Sequence, residues 1–446
     1  MTEPTHLEPL SWSALFAVLL AMFAITVGYG IVLPILPFLI ERLAGTTDAT
    51  TLSWHTGLLT GIYIFAIFLF APLWGMVSDR WARRQVILLG LTGFATSVAL
   101  FALVESLPLL YLGRFLDGMF AAAIAPVAYA VVADHAPSKE WRAHRFALIN
   151  IAGTAGFFVG PLLGGLALRA FRELFAVAAE QTFSAPILAT SGLALLAALT
   201  IWGFVPRAVQ RKGSRLPEAE QQVGQVVMLR LWAIAFVTAV AVGAFEVGLS
   251  LRGKQILSLD SYQIGMMFAE CSLVMFVVQT IVFSPIVKPE ITRWLLTPGL
   301  AILAIGLVAV PFTSTSITMS IAVALVAASA GILSPIVTYW VSLGAADSQG
   351  ASLGRVTAAA SLGQALGSAA GGLLFNVSIL SNATFNAAAI VVLAGLTASF
   401  GLPQLLMRIL QGGNPNSLDR AQASSSTDGA INEATIRARR HPHEHG

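Results

Sequence analysis

Twelve windows of about 20 residues, nearly all of them apolar, run along the chain between short polar stretches. They lie near 12–40, 55–78, 85–105, 108–134, 143–170 and 183–206, then near 229–251, 262–287, 293–312, 316–343, 353–378 and 382–410. Each is long enough to cross a bilayer as an α-helix, which satisfies its own backbone polar groups in lipid. Between the two sets, Arg207 to Gln225 is polar, with R-K-G-S-R and P-E-A-E-Q-Q. After the last window, Gly412 to Gly446 is rich in Ser, Asn, Arg and His and reads as a disordered tail. The pattern predicts an all-α polytopic membrane protein of twelve transmembrane helices. Its expected parts are a six-helix bundle over 1–206, a linker over 207–228, a second bundle over 229–411 and a tail over 412–446.

A glycine repeat joins the two sets. Gly156, Gly160, Gly164 and Gly165 form G-x-x-x-G-x-x-x-G-G in the fifth window, and Gly363, Gly367, Gly371 and Gly372 repeat it in the eleventh. Small residues at this spacing let helices approach closely in lipid, so each bundle should hold one tightly packed helix. Phe70-Ala-Pro-Leu-Trp74 and Phe283-Ser-Pro-Ile-Val287 echo each other as well. Together they indicate two pseudo-symmetric bundles, an arrangement that places substrate sites between the halves near the bilayer midplane. Only the first ladder carries a proline, Pro161, which marks a kink or pivot. The second has Ser368 at that place and reads as plain packing.

Composition agrees. The chain is 57% hydrophobic and 11% charged, against about 25% charged in a soluble domain. The excess apolar surface must face lipid. Met1 to Ser11 has no Lys or Arg, and the apolar run behind it exceeds a signal-peptide core, so it reads as a first membrane helix. A single cysteine, Cys271, excludes an internal disulfide. The net charge of +3 is too small to argue for a nucleic-acid partner. The basic residues instead report orientation: Arg80, Arg83, Arg84, Lys139, Arg142 and Arg145 fall on one side with the linker's, and few fall opposite. By the positive-inside rule both termini and the linker are cytoplasmic.

The second window ends in Gly75-Met-Val-Ser-Asp79-Arg80-Trp-Ala-Arg83-Arg84. This string resembles the loop signature of the major facilitator superfamily. Leu110-Tyr-Leu-Gly-Arg114-Phe-Leu-Asp117-Gly118 resembles that family's arginine motif, and Gly156-Phe-Phe-Val-Gly160-Pro161-Leu-Leu-Gly164-Gly165 the motif of its proton-driven exporters. Val27-Gly-Tyr-Gly-Ile-Val-Leu-Pro34 with Pro37 is similar to the drug:proton antiporter branch that includes the tetracycline exporters. The resemblance covers about residues 12–410 and implies the facilitator fold. It implies gating by Gly75, Asp79, Arg80, Arg83 and Arg84, with Gly75 letting two helix ends meet. The chain departs from the loop signature at Ala82, where the family has glycine. A left-handed turn there would cost alanine about 1–2 kcal/mol.

Charges inside the spans are costly and need a reason. Arg114 and Asp117 share a helix face three residues apart. They read either as a structural ion pair or as a proton-carrying carboxylate with a modulating arginine. Glu246 and Glu270, in the seventh and eighth windows, are the other proton-coupling candidates, because a carboxyl group away from water is harder to ionise. A salt bridge from Glu246 to Arg252 is the alternative. Asp134 reads as a solvated helix end near the basic loops. Tyr29, Asn150, Gln364 and Tyr339 are candidate cavity residues, with Gln279, Asn376, Tyr63 and Trp340 as further possibilities. Packing or helix-to-helix hydrogen bonding competes for each. The tail's His441, His443 and His445 fit a basic tail better than a metal site. No nucleotide-binding loop, nucleophile–base set or metal-ligand constellation occurs, so no enzyme, cofactor or metal is expected.

The expectation is a monomeric, inner-membrane, proton-coupled secondary transporter exporting a small lipophilic or amphiphilic compound by alternating access. A proton-coupled importer and a non-transporting partner protein of the same fold stay open.

Overall fold

The computed structural model describes residues 9–137, 139–175, 184–206, 224–282, 289–344, 349–377 and 382–410. Most of the predicted linker, the tail with its histidines and the Phe283–Val287 echo lie outside these residues. In order, the helices are α1 (Trp12–Ala44), α2 (Ala49–Arg80), α3 (Arg83–Phe101), α4 (Leu107–Ala121), α5 (Ile124–Asp134), α6 (Lys139–Phe175) and α7 (Ser184–Phe204). Then follow α8 (Gly224–Gln255), α9 (Ser261–Val282), α10 (Leu296–Ala309), α11 (Ser316–Gly344), α12 (Gln349–Phe375), α13 (Ala383–Ser399) and α14 (Leu402–Leu410). Among the described residues, 11 segments are long and apolar enough to cross a membrane, and Ala383–Ser399 is a shorter apolar helix. At 17 residues it lies at the lower limit for spanning.

Three windows differ in detail from their sequence reading. The fourth is two helices, broken at Ala122 and Ala123. Pro126 has no amide to give the Ala122 carbonyl, so the helix ladder is interrupted there. The ninth is flanked by 3-10 turns, Pro289–Leu295 and Val310–Phe312. The twelfth stops at Phe400, where Gly401 takes φ +72 and ends the run. The chain divides at that point into two units, Met1–Leu402 and Pro403–Gly446, the second described only over 403–410.

Within the first unit, α1 packs along α6 and α7, and α12 lies against both α8 and α2. The α2–α12 and α6–α9 contacts join the first six spans to the second six. Glycines make these approaches possible. A Cβ at Gly160 would sit 2.6 Å from the Val27 carbonyl oxygen of α1, and one at Gly367 would sit 2.1 Å from that of Val240 in α8. Each ladder therefore ties its helix to the first helix of its own half. The second ladder also packs across the junction with the first six spans. Gly372 abuts Gly57 of α2, and a Cβ on Gly61 of α2 would lie 3.0 Å from the Ala365 carbonyl oxygen. Pro161 makes the corresponding contact on the other side of the junction: a Cβ at Gly265 of α9 would be 2.7 Å from its carbonyl oxygen.

Candidate functional site

Six helices, α1, α6, α8, α9, α11 and α12, enclose a cavity of about 270 Å³ between the halves. Thr26, Tyr29, Gly153, Thr154 and Phe157 line it from the first half. Val242, Phe245, Glu246, Cys271, Met275, Val326, Ala327, Ala330 and Gln364 line it from the second. The wall is mainly apolar and aromatic, and Glu246 is the one carboxylate in it.

Glu246 is 5% exposed, and a carboxyl group so placed needs hydrogen bonds to offset its lost hydration. It receives them from both halves. The Tyr29 hydroxyl donates to Oε2 at 2.5 Å, and Gln364 Nε2 donates to the same oxygen at 3.1 Å. Gln364 Nε2 also reaches the Tyr29 hydroxyl oxygen at 3.3 Å. Three helices, α1, α8 and α12, thus converge on one carboxylate oxygen. Arg252, read from the sequence as a possible partner, turns away from Glu246. It donates to the Pro311 carbonyl at 3.0 Å and to the Thr313 hydroxyl at 3.3 Å.

Behind Tyr29 lies a second polar group. The Tyr29 ring stacks on Tyr63 of α2, with centroids 5.2 Å apart and planes at 19°, and on Phe157 at 5.8 Å. Tyr63 in turn carries the Arg114 guanidinium 4.4 Å from its ring centroid. Arg114 is 1% exposed and stands 3.9 Å from Asp117, which is 2% exposed and accepts from the Ser97 hydroxyl at 2.6 Å. Nε and Nη2 of Arg114 have no hydrogen-bond partner among the described residues, so the Tyr63 and Phe101 rings add cation–π stabilisation to that from Asp117.

On the side away from the α2–α3 turn, polar contacts join the halves. Lys254 of α8 pairs with Glu41 of α1 and donates to the Pro37 carbonyl at 3.0 Å. Asn376 donates to the Ser53 hydroxyl and the Ala49 carbonyl of α2, both at 2.7 Å, and to Gln255 at 3.0 Å. Nearer the middle, Thr154 and Gln279 meet across the α6–α9 junction at 3.4 Å.

On the α2–α3 side, Arg83 bonds Asp134 of α5 at 3.1 Å and the Ser78 hydroxyl at 2.6 Å. Arg84 donates to the Trp202 carbonyl of α7. These contacts stay within the first half. Arg80 is exposed at the end of α2, and the Asp79 side chain lies outside the described residues. Ala82 takes φ −63 and ψ 130 as the residue before α3, so alanine in place of glycine carries no left-handed strain. The close approach expected at Gly75 is not made in this conformation: a Cβ there would meet nothing within 4 Å. α2 meets α12 near Gly57 and Gly61, far along the helix from Gly75.

Of the other expected positions, Glu270 is half-buried on α9 beside Cys271 and does not line the cavity. Asn150 is exposed, accepting from Tyr129 at 2.9 Å, and Tyr339 packs edge-on to Trp340. Neither is among the lining residues. Gly156, Gly160 and Gly164 face α1, while the surroundings of Gly165 lie outside the described residues. Ser97, Gly57 and Gly61 were not singled out from the sequence. The four-residue spacing of Gly57 and Gly61 is the signal that could have found that pair.

The family model described as Major Facilitator Superfamily matches residues 18–368. Multidrug resistance protein 2 of Bacillus subtilis is 27% identical over 405 residues, covering 86% of this chain and 94% of that protein. The class E tetracycline resistance protein of Escherichia coli is 36% identical over 183 residues, covering 41% of this chain and 42% of its own length. Among solved structures, the human organic anion transporter MFSD10 (TETRAN) superposes with a TM-score of 0.67 at 20% identity, over 87% of this chain and 99% of that one. An inward-facing, unoccupied bacterial homologue of the human lysosomal transporter Spinster gives 0.67 at 15%, over 89% and 97%. With its helices in two joined halves and a cavity between them, this chain belongs to the Major Facilitator Superfamily and is a multi-pass membrane transporter.

Proposed function

We propose that the chain is a proton-coupled exporter of a small lipophilic or amphiphilic compound, working as a monomer in the cytoplasmic membrane with both termini inside. The observation that carries this reading is the Glu246 carboxylate in an apolar cavity wall, held by Tyr29 from one half and Gln364 from the other. A group so placed answers to a proton, to a bound compound and to the relative position of the halves. Similarity to multidrug and tetracycline resistance proteins and the proline-bearing glycine ladder favour export over import.

In this reading the contacts at Gly57–Gly372, Pro161–Gly265 and Lys254–Glu41 close the outer side, and the cavity is loaded from the cytoplasm. Rocking of the halves opens the outer side, while Gly75, Asp79, Arg80, Arg83 and Arg84 latch the cytoplasmic side. Protonation of Glu246 from outside releases the compound, and the proton leaves inward on return. Arg114 and Asp117 form the charged support behind Tyr29, and Glu270 is an accessory carboxylate beside the cavity.

The test uses proteoliposomes with ethidium and an imposed proton gradient. Wild-type protein is expected to accumulate the dye against its gradient, and Glu246→Gln to lose that accumulation while still binding dye. Undiminished coupling in Glu246→Gln would remove this carboxylate from the mechanism.

A further inference from the structure

We propose that Tyr63 is a positioning residue for this site: its ring holds Tyr29 so that the Tyr29 hydroxyl stays on Glu246, and it ties the buried Arg114–Asp117 pair to the cavity. The inference rests on the reading of Glu246 as the coupling carboxylate. Tyr63 does not line the cavity and is 4% exposed, so it acts on the site only through its neighbours.

Three observations define that action. The Tyr29 ring stacks on two nearly parallel rings, Tyr63 at 19° and Phe157 at 22°. A flat partner restricts rotation of the phenol about its own axis and swinging of the whole ring. α4 lies directly on the Tyr63 backbone, which fixes where its ring starts from: a Cβ at Gly118 would be 2.1 Å from the Tyr63 carbonyl oxygen. The Arg114 guanidinium rests on the Tyr63 ring, and two of its nitrogens have no other partner among the described residues. One ring therefore touches the cation of the first half and the phenol that donates to the carboxylate of the second.

None of these contacts uses the Tyr63 hydroxyl, so the ring alone carries them. A phenyl ring should replace Tyr63; a flexible aliphatic chain of similar volume should not. Moreover, if Tyr63 acts through Tyr29, its loss should matter little once the Tyr29 hydroxyl is gone.

The experiment compares Tyr63→Phe, Tyr63→Met, Tyr29→Phe and Tyr63→Met/Tyr29→Phe in the purified full chain. The first readout is the infrared band of the Glu246 side chain, isolated as wild type minus Glu246→Gln at one pH. That band exists whether or not Glu246 couples transport, so it separates failure of this inference from failure of the functional reading. Tyr63→Met is expected to move the band as Tyr29→Phe does, and Tyr63→Phe to leave it in place. The second readout is gradient-driven ethidium transport: at least a tenfold loss in Tyr63→Met, within twofold of wild type in Tyr63→Phe, and less than twofold added by Tyr63→Met to Tyr29→Phe. A band unmoved by Tyr63→Met, or losses that multiply in full in the double variant, would overturn the proposal. Should Tyr63→Met fail to reach the membrane, Tyr63→Leu takes its place. If both fail while Tyr63→Phe inserts, the ring serves packing alone and the proposal is equally overturned.

Discussion

Gly57 of α2 and Gly372 of α12 meet backbone to backbone across the junction of the halves: a Cβ built on either would lie 2.6 Å from the other's Cα. Gly57→Val should therefore wedge α2 from α12. Overpacking of this kind costs about 1–3 kcal/mol, enough to change a two-state balance by about fivefold to more than about a hundredfold. Spin labels on the adjoining ends of α2 and α12 are expected to move apart, with transport reduced at least about fivefold and helical content unchanged.

Lys254 and Glu41 link α8 to α1 on the same side, and the Glu41 side chain is 37% exposed. The pair should contribute under about 1 kcal/mol and weaken with salt. Glu41→Lys should favour separation of the halves there, and the exchange Glu41→Lys with Lys254→Glu should recover part of the wild-type transport rate. Full recovery is not expected, because a glutamate cannot donate to the Pro37 carbonyl as Lys254 does.

Asp117 balances a cation with 1% exposure. Asp117→Ala leaves Arg114 buried without its counter-charge, a loss of about 3–5 kcal/mol. The melting temperature in detergent is expected to fall clearly in Asp117→Ala. It should fall less in Arg114→Met/Asp117→Leu, where both charges are gone. Ser97→Ala removes one hydrogen bond to the carboxylate and should lie between wild type and Asp117→Ala.

Asp48 caps α2 by accepting from the Thr51 amide at 2.7 Å. Hydrogen bonds from the Thr51 side chain and backbone hold its carboxyl below the usual range. A lowered folded value means the cap contributes fully above the unfolded pKa of about 3.9. That contribution is lost as pH falls through the folded value. Exchange protection of the Thr51 amide should drop below about pH 4 in wild type, and stay level with pH in Asp48→Asn.

The helices were legible because a bilayer sets their length and forbids long polar interruptions. The break before Pro126 and the turn at Gly401 are also written in residue type. The faces were not. A small-xxx-small helix offers several close-packing surfaces, and spacing alone does not say which neighbour takes each. Hence Gly372, read simply as packing, has its partner in the other half, at Gly57. The same holds for the cavity. Glu246, Tyr29 and Gln364 each stood out singly, but their convergence depends on the crossing of α1, α8 and α12. Ser97 gave little signal, since a serine in an apolar run reads as ordinary helix, and Tyr63, a candidate for the cavity wall, stands behind it instead.

The cavity wall holds the chain's one sulfhydryl, Cys271, and no other position competes for a thiol reagent. Cys271 is buried in this structure, so it should react with such a reagent only when the chamber opens to it. A membrane-impermeant maleimide added to one face or the other of sealed vesicles would report, without any engineered cysteine, which compartment the central chamber communicates with at each stage of the cycle.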